Sequence, residues 1–446
     1  MKWLLAMAIG SVSILVGLMV PVRPSQTTQA LQQAYLQALP RLSAIGYLSG
    51  ETQSSYHIDV VNLRTTSISI QTTTGWQSVR GLSEDNWDQV VRVEVPKTNA
   101  LTFSLTSPDF NGEQQAPIYE WPWKVPITDL VRQAPDLSQW PMLKVVGPTI
   151  YWQPGVWIID RDMIIPAGYT VKIPAGITLD LQRKARVLSY SPLLLQGRKS
   201  SPIRIHSSDK SGQGILLHHP GKTSKWQHVH IKNLSAPRRG QWQLPGAITV
   251  YESAIEWDNI ILTSNVYGDD YVNFVRSIFT AKNVTFNQVL ADALDSDFSR
   301  GTLSHVVFTQ IGNDGLDTSG SQVVVDQATF DRIGDKAISV GEASQVTANH
   351  VTIHHAQIAL TAKDASRLVL TAAQIAESQL GAALFQKKAE YSQAVIVAEA
   401  VRVRDVDVLY LMEPGSRYEF NGQAQSPTHD DVKSKLYGNE FGKSSR

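Results

Sequence analysis

Along most of this chain the apolar residues fall in short runs, not at helical spacing. From about residue 144, strand-like stretches of four to eight residues, rich in Val, Ile, Leu and Thr, end repeatedly in Gly, Asn, Asp or Ser. The runs can be aligned on one another. Asp270-Tyr-Val-Asn273, Asp292-Ala-Leu-Asp295, Asp314-Gly-Leu-Asp317, Lys336-Ala-Ile-Ser339 and Ile358-Ala-Leu-Thr361 each begin 22 residues after the last, and Ala382-Ala-Leu-Phe385 follows after 24. A second column, Phe286, Phe308, Phe330, Ile353 and Ile375, keeps the same period. Such a repeat predicts a parallel β-solenoid, in which each strand bonds to its copy about 4.8 Å away in the next coil. In that register Val272, Leu294, Leu316, Ile338, Leu360 and Leu384 form one file, which must point inward, because a file of exposed aliphatics would invite aggregation. Frequent turn residues and β-branched side chains argue against a helical solenoid.

Upstream the pattern differs. Leu31, Tyr35 and Ala38, with Leu39, predict a short amphipathic helix within residues 26–46, ended by Pro40. Tyr56–Leu63, Ser67–Gln71, Val90–Val95 and Leu101–Thr106 alternate apolar and polar residues and predict a small antiparallel sheet. Residues 1–25 hold Lys2 and an uncharged run from Trp3 to Val20, readable as a retained membrane anchor or a cleaved signal peptide; either one exports the rest. The expected division is 1–25 leader or anchor, 26–143 a small α+β domain with a Pro- and Trp-rich connector, 144–422 the solenoid, and 423–446 a polar, flexible tail. The last strands are expected at Ala394–Ala398, Val401–Val403 and Val406–Leu411.

The segments Ile165-Pro-Ala-Gly-Tyr-Thr-Val-Lys-Ile-Pro-Ala-Gly-Ile-Thr-Leu-Asp-Leu181 and Leu193-Leu-Leu-Gln-Gly197, followed by Ser201-Pro-Ile-Arg-Ile205, resemble the first coils of the right-handed parallel β-helix, or pectate-lyase-like, superfamily. The resemblance covers roughly residues 144–410 and implies an exported protein that binds or modifies acidic polysaccharide or a cell-envelope glycan, expected to act as a monomer. Fold alone assigns no chemistry.

Composition adds limits. The 446 residues carry 40 basic and 40 acidic side chains, so no global basic surface is available for nucleic acid. With no cysteine there are no disulfides, thiolate metal sites or thiol nucleophiles.

Candidate chemistry lies in an acidic ladder. Stacking the repeats puts Asp270, Asp292 and Asp314 in one file and Asn273, Asp295 and Asp317 in another, with Asp269 and Asp297 beside them; Asp295 and Asp317 should point outward. Neighbouring carboxylates at the coil spacing repel by roughly 3 kcal/mol at an effective dielectric of about 20. Three remedies remain open. A cation such as Ca²⁺ could be held by Asp269, Asp295, Asp297 and Asp317. Shared protons could suit Asp270, Asp292, Asp295, Asp314 and Asp317 to acid–base catalysis, with Lys336 and Arg276. Or the aspartates could be structural corners, balanced by Lys336, Arg276 and Arg300. The last reading makes the protein a non-enzymatic scaffold.

Asn313-Asp-Gly-Leu-Asp317 is similar to a stretch of polygalacturonase-like hydrolases, but Asp335-Lys336 stands where that family has an Asp pair, and its Gly-His-Gly and Arg-Ile-Lys motifs are missing. The Asp-Pro-His motif of alginate epimerases is absent too. A lyase or uronate epimerase needs a base and a cation beside the sugar carboxylate, for which Lys336, Lys363, Lys387, Lys388, Arg276 and Arg300 are available. His218-His219 and His228-x-His230 are weaker metal candidates. Trp121, Trp123, Trp140, Trp152 and Trp157 read as packing residues before and within the first coils, with sugar stacking as the alternative.

Overall fold

The computed structural model describes residues 44–81, 91–109, 111–120, 135–239, 242–438 and 441. Two compact units emerge, Met1–Val125 and Pro126–Arg446. The leader, most of the expected helix, Trp121 and Trp123 lie outside the described residues.

In the first unit seven strands form one sheet, ordered Gly75–Val79, Ile68–Thr72, Thr102–Thr106, Gln114–Glu120, Ala44–Glu51, Ser55–Asn62, Val91–Pro96. Its pairings are antiparallel except that Ala44–Glu51 runs parallel to Gln114–Glu120. The four expected strands are present. A further strand, Ala44–Glu51, begins inside the segment expected to be helical; it carries no clean alternation that would mark it as a strand.

The second unit is a parallel β-helix of about 12 turns. Side chains that repeat at 22 residues lie over one another: Val272 on Leu294, Leu294 on Leu316, Leu316 on Ile338 and Ile338 on Leu360. The expected sixth repeat is shifted by two. Leu360 lies over Ala382, and Ile358 over Leu380, so the period stays at 22. Leu384 instead continues the neighbouring inward file, after Ala362. Two apolar repeats two residues apart are interchangeable by pattern, because both face the core.

Phe286, Phe308 and Phe330 stack inside with ring centroids 5.0 and 4.6 Å apart and nearly parallel planes. Phe308→Ala is therefore expected to cost about 3–5 kcal/mol. A melting temperature within a degree or two of the wild type would contradict this packing.

The corners depend on two devices that apolar periodicity does not reveal. Gln288, Gln310, Arg332 and His355 occupy one corner in successive coils, all with φ between 52 and 57°, where one left-handed residue turns the chain. At another corner buried serines are bonded coil to coil, with Ser277 N donating to Ser299 Oγ, Ser299 N to Ser321 Oγ and Ser321 N to Ser344 Oγ. Each satisfies a backbone donor that the turn would otherwise orphan.

The expected loose tail is corrected at its docked part. Val432–Leu436 forms a short helix capped by Asp431, and Val432, Leu436 and Phe441 are buried against Ile358, Leu380, Phe385 and Leu411. Composition reads residues 423–446 as polar, but these apolar positions suffice to dock it.

Candidate functional site

One outward face of the solenoid carries the acidic ladder. Its inward neighbours, Leu294, Ser296, Leu316 and Thr318, are fully buried, while Asp295, Asp297, Asp317 and Ser319 are half-buried. Asn273, Asp295 and Asp317 are in register, as are Val275, Asp297 and Ser319. Beside them the file Asp270, Asp292, Asp314 continues into Lys336, Ile358 and Leu380.

This file is more buried than its chemistry suggests. Asp270 is 1% exposed, Asp314 3% and Lys336 6%. Asp292 Oδ1 accepts from Asp314 N at 2.8 Å and from the Asn313 amide, and Asp314 Oδ1 accepts from Lys336 N at 3.1 Å. Each carboxylate therefore caps the next coil. Lys336 Nζ lies 3.4 Å from Asp314 Oδ1 and also binds Asp335. Lys363, equally buried, approaches Asp317 at 3.7 Å, and Lys388 pairs with Glu342 at 2.7 Å.

The electrostatics follow from burial. Burial, with Asp314 as neighbour, pushes the Asp292 carboxyl up to about 8. Burial also lifts Asp314, but Lys336 opposes it and the value is held at about 6. Asp270 and Asp295 are driven well above the ordinary carboxyl range, first by burial and then by Asp292 and Asp270 respectively. Asp297 is raised by burial despite a hydrogen bond from Asn273. For Lys336 and Lys363 burial favours the neutral amine, yet the aspartates around each override it and hold the charge. At neutral pH this face therefore combines protonated carboxyls, ionised carboxylates and two buried ammonium groups.

A hard cation would find oxygen donors here. Asp269, Asp270 and Asp292 can bring one oxygen each within 4.8 Å of one another, and so can Asp292, Asp314 and Asp317. Asp270 Oδ2, Asn273 Oδ1 and Asp295 Oδ1 are buried without a hydrogen-bond partner, which suits an oxygen-seeking ion such as Ca²⁺. The expected set of Asp269, Asp295, Asp297 and Asp317 is regrouped. Asp269 falls with Asp270 and Asp292, Asp317 falls with Asp292 and Asp314, and Asn273 Nδ2 bridges Asp295 and Asp297 at 3.2 and 3.1 Å.

Arg276 is not drawn into the cluster. It sits at a left-handed corner and pairs with Glu252 at 3.5 Å. Arg300 is exposed at the start of its strand. His228 occupies a left-handed corner and so does not share a strand face with His230. His218 stacks on Tyr251, with centroids 5.3 Å apart, and His219 faces Glu252. Trp140 and Trp152 are buried in the core, and Trp157 donates to Gln153 O.

The face is covered at both ends. Upstream, one lengthened coil (Leu217 to Val250 spans 33 residues) carries the hairpin of Arg238–Arg239 and Trp242–Gln243, and Trp242 and Leu244 pack on the outward residues Ile164, Leu188 and Leu216. Downstream, the Val432–Leu436 helix covers Ile358 and Leu380. The acidic stretch lies between.

The second unit is thus a parallel β-helix with an acidic, ion-paired outward face. No family model and no curated protein matches the chain. Among solved structures it is similar to the catalytic domain of a GH87 α-1,3-glucanase in complex with tetrasaccharides (9% identity, 83% of this chain and 87% of that one, TM-score 0.36). It is also similar to the periplasmic alginate epimerase AlgG (11%, 64% and 82%, TM-score 0.36) and to an alginate lyase from Paenibacillus sp. (11%, 54% and 92%, TM-score 0.30). These likenesses are distant and leave the chemistry to the site itself.

Proposed function

We propose that the face from Asp269 to Asp317 binds an extracellular acidic polysaccharide and modifies it by proton transfer. The observation that carries this reading is the placement of a carboxyl that keeps its proton at neutral pH, Asp292, beside the half-buried Asp317 and the buried Lys336 and Lys363 on one face covered at both ends. In this reading Asp292 acts as proton donor, Asp317 as base, and Asp270, Asp295 and Asp314 tune them. Lys336 and Lys363 offset the charge of a uronate carboxylate, as abstraction of the adjacent proton requires. Ca²⁺ held by Asp292, Asp314 and Asp317 would require all three ionised and would displace the Asp292 proton, so a Ca²⁺-loaded site would favour the structural role over proton transfer. Arg276 is left outside the reaction by its pairing with Glu252.

Inverting hydrolysis fits poorly. It needs carboxyl groups about 6.5–9.5 Å apart to admit a water, whereas Asp292, Asp314 and Asp317 approach within 4.8 Å. Retaining hydrolysis works at about 5–5.5 Å, so the spacing alone does not choose; Lys336 and Lys363 beside the carboxyls favour a lyase or uronate epimerase. Export belongs to the same proposal and rests on residues 1–25; among the described residues no helix is long and apolar enough to cross a membrane.

One observation favours a second reading, the scaffold. Asp292 and Asp314 each cap the following coil, a role that needs no substrate. Incubating the purified chain with alginate and polygalacturonate, with and without Ca²⁺, separates the two. Unsaturated products or epimerised residues are expected. If no product forms and neither polymer nor Ca²⁺ shifts the melting temperature, the scaffold reading stands and the enzyme is excluded.

A further inference from the structure

Next to the acidic file, at the corner that precedes it in each coil, runs an open groove of about 660 Å³. One wall is the ladder Ser264, Gln288, Gln310, Arg332 and His355, one residue from each successive coil. The floor is low because Gly312 and Gly334 occupy it. A Cβ on either would lie 2.1–2.2 Å from a carbonyl oxygen of the coil before, so no side chain can rise there. At the upstream end sits Asn265, 7% exposed, whose Oδ1 accepts from Leu290 N while its amide nitrogen has no hydrogen-bond partner. Immediately beyond the glycines in sequence come Asn313 and Asp314, and Asp335 and Lys336, so the groove borders the proposed catalytic file along its length.

We infer that this groove seats the polysaccharide chain alongside the acidic file, its hydroxyls read by the amides of Asn265, Gln288 and Gln310, with Arg332 at the downstream end. The inference rests on the polysaccharide reading and adds to it the path of the polymer and the residues that hold it. Three features favour a polymer over a small molecule. The groove is open along its length, not enclosed. Its side-chain donors recur at the coil rise of about 4.8 Å, close to the length of one sugar residue, so successive amides meet successive residues of an extended chain. And the wall is chiefly uncharged: Arg332 is paired with Asp331 at 2.8 Å, and His355 lies between Asp331 and Glu377, at 3.0 and 2.7 Å. The groove should therefore contribute affinity through hydroxyls, while discrimination for uronates stays with the neighbouring lysines.

The test uses the full chain with fluorescently labelled short and long fragments of alginate and of polygalacturonate. In Gln288→Ala/Gln310→Ala, affinity for long fragments of the bound polymer should fall about tenfold, the loss expected for two hydrogen bonds, and affinity for the shortest fragments should change little. Turnover at saturation should be kept while KM rises. Gln310→Asn suits a left-handed corner but withdraws the amide by one methylene; it should show part of the loss even if alanine strains the turn. Gln322→Ala/Gln345→Ala, two exposed glutamines outside the groove, should change nothing. Unchanged affinity in the groove variants while the wild type binds and modifies the polymer overturns the groove and leaves the proposed function standing. A wild type that neither binds nor modifies either polymer overturns the proposed function and the groove with it.

Discussion

The solenoid is expected to lose stability as pH rises from about 4 to about 8, the reverse of the usual behaviour of an acidic cluster. The sign follows from linkage. Asp292 and Asp314 have folded-state values of about 8 and about 6, above the unfolded carboxyl value of 3.8, so between these limits the folded state binds more protons than the unfolded one. Stability then falls with rising pH, by up to about 1.4 kcal/mol per pH unit for each group so displaced. Asp270, Asp295 and Asp297 act in the same direction. Lys336 and Lys363 do not cancel this: their folded values are raised, so their contribution persists throughout the window and is lost only at strongly alkaline pH. Carboxyls of the opposite kind, such as Asp209, where desolvation pushes upward but the backbone and hydroxyl hydrogen bonds it accepts together outweigh it and hold it at about 2, set the acid limb instead, because their contribution disappears as pH falls through the folded value. The melting temperature should therefore peak near pH 4–5. Asp292→Asn keeps an oxygen to accept from Asp314 N and removes the charge, and it should raise stability at pH 8 by several kcal/mol while changing little at pH 4.5. A bound Ca²⁺ would flatten the wild-type profile by favouring the ionised carboxylates. A wild-type stability that climbs steadily from pH 4 to 8 without added Ca²⁺ would show that these carboxyls are not desolvated as described.

The second large effect is expected at Lys336. Its ammonium is the cation in contact with Asp314, whose side chain is only 4% exposed, and with Asp335. Lys336→Met keeps most of the side-chain volume but strands a buried carboxylate, at a cost of about 3–5 kcal/mol near pH 8. The penalty should shrink as pH falls from 8 toward about 6, because without Lys336 the Asp314 carboxyl takes up its proton above the value of about 6 that it has beside the lysine. The double variant Lys336→Met/Asp314→Asn should recover much of the loss, which is the signature of a coupled pair. A single variant as stable as the wild type at pH 8 would mean that the lysine is not what balances this file.

Much of this was legible in the order of residues. A period of 22 requires only that like side chains lie over one another, and apolar residues report it because most inward positions are apolar. The same arithmetic located both aspartate files and placed Lys336 beneath Asp314. It could not separate Leu380 from Ala382 as the start of the last full repeat, since both choices bury apolar side chains. It could not detect corners made by Gln288, Gln310, Arg332 and His355, because a left-handed turn is a backbone state that these residue types do not announce. Nor could it tell that Val432 and Leu436 would dock, since two apolar residues in a polar segment acquire a partner only when the face of Ile358 and Leu380 is folded beside them.

The sequence by itself determined the coil, its register and the residues that share each file, because those depend on spacing along the chain. Tertiary structure alone decided how deeply the aspartates are buried, which of them Asn273, Lys336 and Lys363 reach, and that Arg276 turns away to Glu252. Proton affinity and ion pairing depend on desolvation and on distances of a few ångströms across neighbouring coils, and these exist only once the coils are stacked.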